Sequence, residues 1–486
     1  SCFSLVTFAE SRSLLRSTPS LKAGVTSTID KRAMDHPASS SPLLHKSSCG
    51  INSATSTSTT SYVASSVAII SSTSTSGYTA RSVDLPSVTP NPAITASSYI
   101  SLTNDIPAIL NHAVDISSHS WELGTLTEAL LEVYNPSLTP FEWDGGAFGG
   151  DVPWAMFSVL LDTISGYNWT GAPNSDPNNL ADYLDPSTAP SPLISQPLVS
   201  GLGSLGDPNS LGPAVWVLAK FAQRDDVKGE LSLRCAGDYA WAVGNQLSYL
   251  KAGFTSANGT ISDRDGYFEV WSDMGGVIPP FPAYLGLATY NSSLFNFSLS
   301  QWTLEASALL DNSVQLYRHI NDFDAQFWAT GHGWMMLGAV RVLESINASG
   351  QVGQFWNVVE GVETQLSAVF AALFGQLDDD NLLPDYMLQA NSTLSIGDAS
   401  GTAVVVAAYY RFVKLCPWQV NNKMNASASN AFDGVVAKIS SDGWLTQVFD
   451  PEWTNGWVVY SGSNLRSPEA QSFTATMWAA RTAAGF

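Results

Sequence analysis

Asp273 has the strongest chemical setting in the chain. It stands in Val270-Trp271-Ser272-Asp273-Met274-Gly275-Gly276-Val277-Ile278-Pro279-Pro280-Phe281, one carboxyl group beside Trp271 and ahead of an apolar run. Burial among such neighbours penalises the charged carboxylate and raises its pKa. That is how a general acid is prepared. The same position is open to a second role, that of a cap for a helix interrupted at Pro279-Pro280. Two more unusual strings follow in order, Phe327-Trp328-Ala329-Thr330-Gly331-His332-Gly333-Trp334-Met335-Met336 and Gly397-Asp398-Ala399-Ser400-Gly401-Thr402-Ala403. In the last, Asp398 reads as a structural N-cap for a helix that starts with small residues.

Taken together, the three strings resemble motifs of the six-hairpin glycosidases, glycoside hydrolase families 88 and 105, most closely the fungal branch of family 105. Two weaker matches come earlier: Ser120-Trp121-Glu122-Leu123-Gly124 is similar to that family's opening Trp-x-x-Gly helix, and Gly206-Asp207-Pro208-Asn209-Ser210-Leu211-Gly212 to the segment with its second important aspartate. The resemblance spans roughly residues 98 to 486 and implies an all-α (α/α)6 toroid. It also implies hydrolysis of oligosaccharides that carry a 4,5-unsaturated uronic acid at the non-reducing end. In that chemistry an aspartic acid protonates C4 of a vinyl ether, water adds at C5, and the hemiketal opens and expels the aglycone, with no metal, cofactor or covalent nucleophile. Asp273 matches the proton donor, Asp207 the second aspartate that holds sugar or water, and Trp271, Trp328 and Trp334 the aromatic lining. Three positions depart from the pattern. Thr330 replaces an arginine, the residue type that clamps a carboxylate. His332 replaces an asparagine and is expected to supply part of that cation when protonated, or else to be a structural, hydrogen-bonded histidine. In Ser262-Asp263-Arg264 an aspartate stands where fungal members carry histidine, so Asp263 and Arg264 join the candidate substrate-binding residues.

Charge narrows the partners. Acidic residues number 42 and basic ones 21, a formal net of -21, and no basic stripe for nucleic acid is visible. A uronate would need a local cation against this field; Arg264, Arg318 and Arg466 lie near the motifs. No apolar run approaches the length of a membrane span. Cys2, Cys49, Cys235 and Cys416 lack metal-ligand spacing. Sequons at Asn168, Asn258, Asn291, Asn296, Asn347, Asn391 and Asn425 point to N-glycans and to a secreted, extracellular protein, in which Cys235 and Cys416 are able to pair.

The elements that must hold these residues are helical. Residues 1–97 are rich in Ser and Thr and read as a disordered or O-glycosylated segment, leaving 98–486 as the catalytic domain. Leu123, Leu126, Leu130 and Tyr134 share one helix face, ending before Pro136. Helical spacing recurs at Ala214–Phe221, Tyr239–Leu250, Leu304–Ile320, Trp334–Leu343, Val358–Phe374, Thr402–Val413 and Thr474–Ala483. The stretches at Trp334 and Thr402 are apolar nearly all round, as inner helices must be, whereas Val358–Phe374 is amphipathic like an outer one. Glu122 reads as a surface or first-turn acid. Two other functions stay open: an inverting glycosidase with Asp273 as acid and Asp207 or Asp263 as base, whose carboxyls stand about 6.5–9.5 Å apart, and a non-catalytic secreted glycan-binding protein.

Overall fold

Twelve helices paired into six hairpins form the scaffold in the computed structural model, which describes residues 85–389, 395–449 and 466–486. In chain order they are α1 (Ser97–Ile116), α2 (Ser120–Tyr134), α3 (Trp154–Thr163), α4 (Gly212–Phe221), α5 (Ala236–Lys251), α6 (Pro280–Thr289), α7 (Ser292–Leu309), α8 (Ala329–Ala348), α9 (Val352–Phe374), α10 (Ala399–Leu415), α11 (Asn422–Val436) and α12 (Pro468–Ala484). The even-numbered helices pack side by side in the order α2, α4, α6, α8, α10, α12 and back to α2, closing an inner ring. The others back them from outside. This is the expected (α/α)6 toroid.

Burial follows from that layering. α10 is buried at every residue from Ala399 to Val413, because a helix with neighbours on all sides has no wet face. α9 instead buries a stripe of Val359, Val362, Leu366, Val369, Phe370 and Leu373. The inner ring is also pinned by charge. Glu132 on α2 receives Arg341 of α8 at 2.9 Å and Arg411 of α10 at 2.9 Å, all three side chains being buried. Removing one partner of such a group strands the others without water, at a cost of about 3–5 kcal/mol.

Several expectations change. The helical reading of Leu304–Ile320 fails after Leu309, where residues 310–311 and 316–317 pair as a short antiparallel hairpin. The Asp311 carboxylate accepts from the Ser313 N–H and hydroxyl and Gln315 adopts a positive φ of 58°, a turn that helical periodicity cannot signal. Cys416 is a buried free thiol while Cys235 is disulfide-bonded, so the two do not pair. Glu122 is a first-turn acid but a buried one, accepting from the N–H groups of Ser118 and His119 as part of a capping box. Cys2, Cys49, Asn391 and residues 1–84 lie outside the described residues. Residues 85–97, grouped by composition with the Ser/Thr-rich segment, pack on the barrel: Ile94 is buried and Asn91 donates to the Thr482 carbonyl of α12. Among the described residues, no helix is long and apolar enough to cross a membrane and no His/Cys/Asp/Glu group is arranged to hold a metal.

Candidate active site

The starts of the inner helices surround a cleft of about 330 Å³. Trp121 comes from the first turn of α2, Asp207 from the 3-10 turn before α4, Asp273 from the turn before α6, Trp334 from α8 and Glu469 from α12. Helix N-termini carry partial positive charge, so carboxylates gathered at this end meet a favourable field.

Two loops set the carboxylates. Leu205 N–H donates to the Asp263 carbonyl and Asp265 N–H to the Gly203 carbonyl, tying the Asp207 turn to the Asp263 loop. The Asp263 side chain is buried, accepts from Ser204 Oγ at 3.0 Å and pairs with Arg264 Nε at 2.9 Å. Arg264 lies 4.4 Å over the Trp271 ring, and Trp271 Nε1 donates to Glu269. The second tie runs between 270–272 and 319–321: Ser272 N–H donates to the His319 carbonyl and Asn321 N–H to that of Val270. It sets His319 Nε2 3.8 Å from Asp273 Oδ2.

Burial raises the pKa of all three cleft carboxyls. Burial is the main cause that lifts Asp273 above the usual carboxylate range, opposed by the charge of His319; about 24% of its side chain opens to the cleft and protein surrounds the rest. Asp207 lies well above that range through burial and the nearby charges of Asp263 and Asp273. Burial pushes Asp263 up to about 6 against the pull of Arg264. Asp273 precedes the short helix Met274–Val277 yet makes no capping hydrogen bond, so the alternative of a helix cap does not hold. Its carboxyl faces solvent space and His319.

Asp207, Asp263, Arg264, Trp271, Asp273 and Trp334 are thus brought together. Two expected site residues are not in the lining. His332 is buried, with Nδ1 donating to the Trp328 carbonyl at 2.6 Å and Nε2 accepting from the Tyr317 N–H at 2.9 Å. Burial drives its pKa down to about 4, so it is a structural, neutral histidine rather than a replacement cation. Trp328 is a backing residue, its ring 4.5 Å from His319 and its Nε1 bonded to Asp385. Thr330 donates to Asp398, which caps α10 through the Ser400 and Gly401 N–H groups as its sequence implied. Arg318 pairs with Asp311, and Arg466 lies over Trp444. Sequence reasoning missed His319, Glu469 and His119. The cluster His319-Ile320-Asn321-Asp322-Phe323-Asp324 was the available signal, hidden by the helical reading of that stretch.

The fold has known counterparts. Residues 251–481 match the family model described as Glycosyl Hydrolase Family 88. A solved structure described as a possible member of glycoside hydrolase family 105 from Salmonella enterica serovar Paratyphi A superposes with a TM-score of 0.56 at 16% identity, covering 80% of this chain and 96% of that one. The chain has the six-hairpin glycosidase fold. A family 105 glycoside hydrolase from C. acetobutylicum gives a TM-score of 0.55 at 13% identity over 79% of this chain and 99% of its own. A family 88 protein from Bacteroides vulgatus gives 0.52 at 14%, over 79% and 99%. No curated protein matches the chain.

Proposed function

We propose that this six-hairpin protein is a glycoside hydrolase of the family 105 type that removes a 4,5-unsaturated uronic acid from the non-reducing end of lyase-generated oligosaccharides. The observation that carries the reading is Asp273: a carboxyl group with a raised pKa, open to the cleft, beside Trp271 and backed by His319. Asp273 delivers its proton to C4. Water adds at C5, guided by Asp207, and the resulting hemiketal opens to release the aglycone. Trp121 and Trp271, both partly exposed, offer aromatic surface to the sugar while the buried Trp334 backs the cleft, and Arg264 is a cation in reach of the substrate carboxylate.

A second reading draws support from the charge of the same cleft. Asp207, Asp263 and Asp273 share it with Arg264, which is already paired, a setting suited to an uncharged sugar and to an inverting glycosidase with Asp273 as acid. Sequons fit a secreted glycoprotein: Asn168, Asn258, Asn291, Asn296 and Asn347 are exposed, and Asn425 is half-buried under a hydrogen bond from Tyr409.

Loss of the ultraviolet absorbance of unsaturated uronides separates the readings. With lyase digests of pectin, rhamnogalacturonan and glucuronan, absorbance falls with the native protein and Asp273→Asn slows it by about 10²–10⁴-fold, the worth of a general acid. Reducing-sugar release from saturated glycans alone selects the inverting glycosidase. Binding without either signal leaves a glycan-binding protein.

A further inference from the structure

Behind Asp273 lies a row of polar side chains that the hydration chemistry does not by itself require. His319 turns Nε2 toward Asp273 and places Nδ1 2.8 Å from Asp324 Oδ2. The Tyr386 hydroxyl donates to that same oxygen at 2.7 Å. Its hydrogen is therefore committed to Asp324, and at 3.2 Å from Nδ1 it flanks the imidazole without competing for the Nδ1–H. Asp324, an acceptor on both sides, leaves Nδ1 as the donor. Burial acts to raise the Asp324 pKa, but the bonds and charge from His319 and the Tyr386 bond together hold it below the usual range.

The surroundings keep the ring in place. His319 is buried, with the Trp328 ring at 4.5 Å and that of Trp271 at 5.6 Å. Its N–H donates to the Gln326 carbonyl and Ile320 N–H to that of Asp324, so a tight turn fixes His319 and Asp324 together. Tyr386 arrives from a distant loop through antiparallel pairing with Trp328. The other titratable groups against this row are Asp385, bonded to Trp328, and neutral His332.

We propose that Asp324 and Tyr386 are positioning residues, which fix His319 in the Nδ1–H tautomer and keep its Nε2 facing the Asp273 carboxyl so that the two groups hold one proton between them. A partner on the far ring nitrogen sets both tautomer and orientation, as in other histidine-based sites. The proposal rests on reading Asp273 as the proton donor. Over one turnover the substrate takes a proton at C4 and the water oxygen at C5, and the proton that the water sheds restores the Asp273–His319 pair.

The test has a readout independent of activity. The chain has six histidines, and a long-range ¹H–¹⁵N spectrum of the full protein, with His319→Gln for assignment, reads the tautomer directly. A proton on His319 Nδ1 is expected, with that preference lost in Asp324→Asn and the Nδ1–H resonance moved less in Tyr386→Phe, both variants first shown to melt cooperatively. On an unsaturated uronide, Asp324→Asn should lower kcat on the order of 10²-fold with KM within about threefold, and Asp324→Glu should restore part of it. An Nε2–H tautomer in the native protein, an unchanged tautomer in Asp324→Asn, or an unchanged kcat on a substrate the native enzyme turns over would overturn the proposal. If the tautomer responds as stated but the native protein leaves every unsaturated uronide intact, the positioning stands and the proposed activity falls.

Discussion

Asp263 controls how much positive charge the cleft presents. It binds Arg264 at 2.9 Å and its own charge contributes to the high pKa of Asp207. Asp263→Asn keeps an acceptor for Ser204 while releasing the guanidinium, so KM for an anionic uronide is expected to drop about three- to tenfold, a gain of about 1 kcal/mol from one charge-assisted contact. Initial rates over a substrate series check this, and a rise in KM would show that Arg264 is held in its working position by Asp263. Asp273 was legible in the sequence because an acid among Trp, Gly and Pro residues is unusual locally. His319 was not: its segment sets a histidine close to acids, but which distant carboxyl it faces is fixed only by tertiary pairing. The backbone bonds that lay 319–321 along 270–272 join residues far apart in the chain, and local pattern carries no record of such pairing.

At the scale of elements, glycines decide how closely the donor turn approaches α8. A Cβ at Gly338 would collide with the Gly275 carbonyl and with Gly276 Cα, and one at Gly276 with the Trp334 ring. The contact is between backbones, so no side-chain movement relieves it. Gly338→Ala is expected to cost about 1–3 kcal/mol as an overpacking defect and to lower activity by displacing the short helix that follows Asp273. Thermal melting and kcat measure the two effects; a variant as stable and active as the native protein would show that the turn adapts freely. Helical elements were largely readable: the stretches read at Trp334, Val358 and Thr402 lie inside α8, α9 and α10, because packing against a curved wall imposes the 3.6-residue period. Leu304–Ile320 misled because its apolar spacing continued past the Asp311 turn, where side-chain hydrogen bonds ended the helix.

For the molecule as a whole, buried acids tie stability to pH. Burial lifts Asp263 and Asp398 from 3.8 to about 6 and Glu128 from 4.5 to about 7. A raised folded pKa means that the native state binds protons more tightly than the unfolded chain. The resulting stabilisation is complete below pH 4 and is lost as pH rises through 6 to 7. The net charge of -21 adds self-repulsion in the same direction. The melting temperature is therefore expected to be several degrees higher at pH 5 than at pH 8, and calorimetry giving the reverse order would show that ion pairs such as Glu132 with Arg341 and Arg411 dominate instead. The sequence by itself determined the helical class, the inner or outer character of several helices and the unusual setting of Asp273 beside Trp271, because periodicity and unusual local composition are properties of contiguous residues. Only the tertiary structure decided that His332 is a neutral buried strut, that Arg264 rather than Arg318 or Arg466 lines the cleft and that His319, Asp324 and Tyr386 stand behind Asp273. Those roles depend on which loops the closed ring brings to one end, and on the burial and hydrogen bonds that meet there.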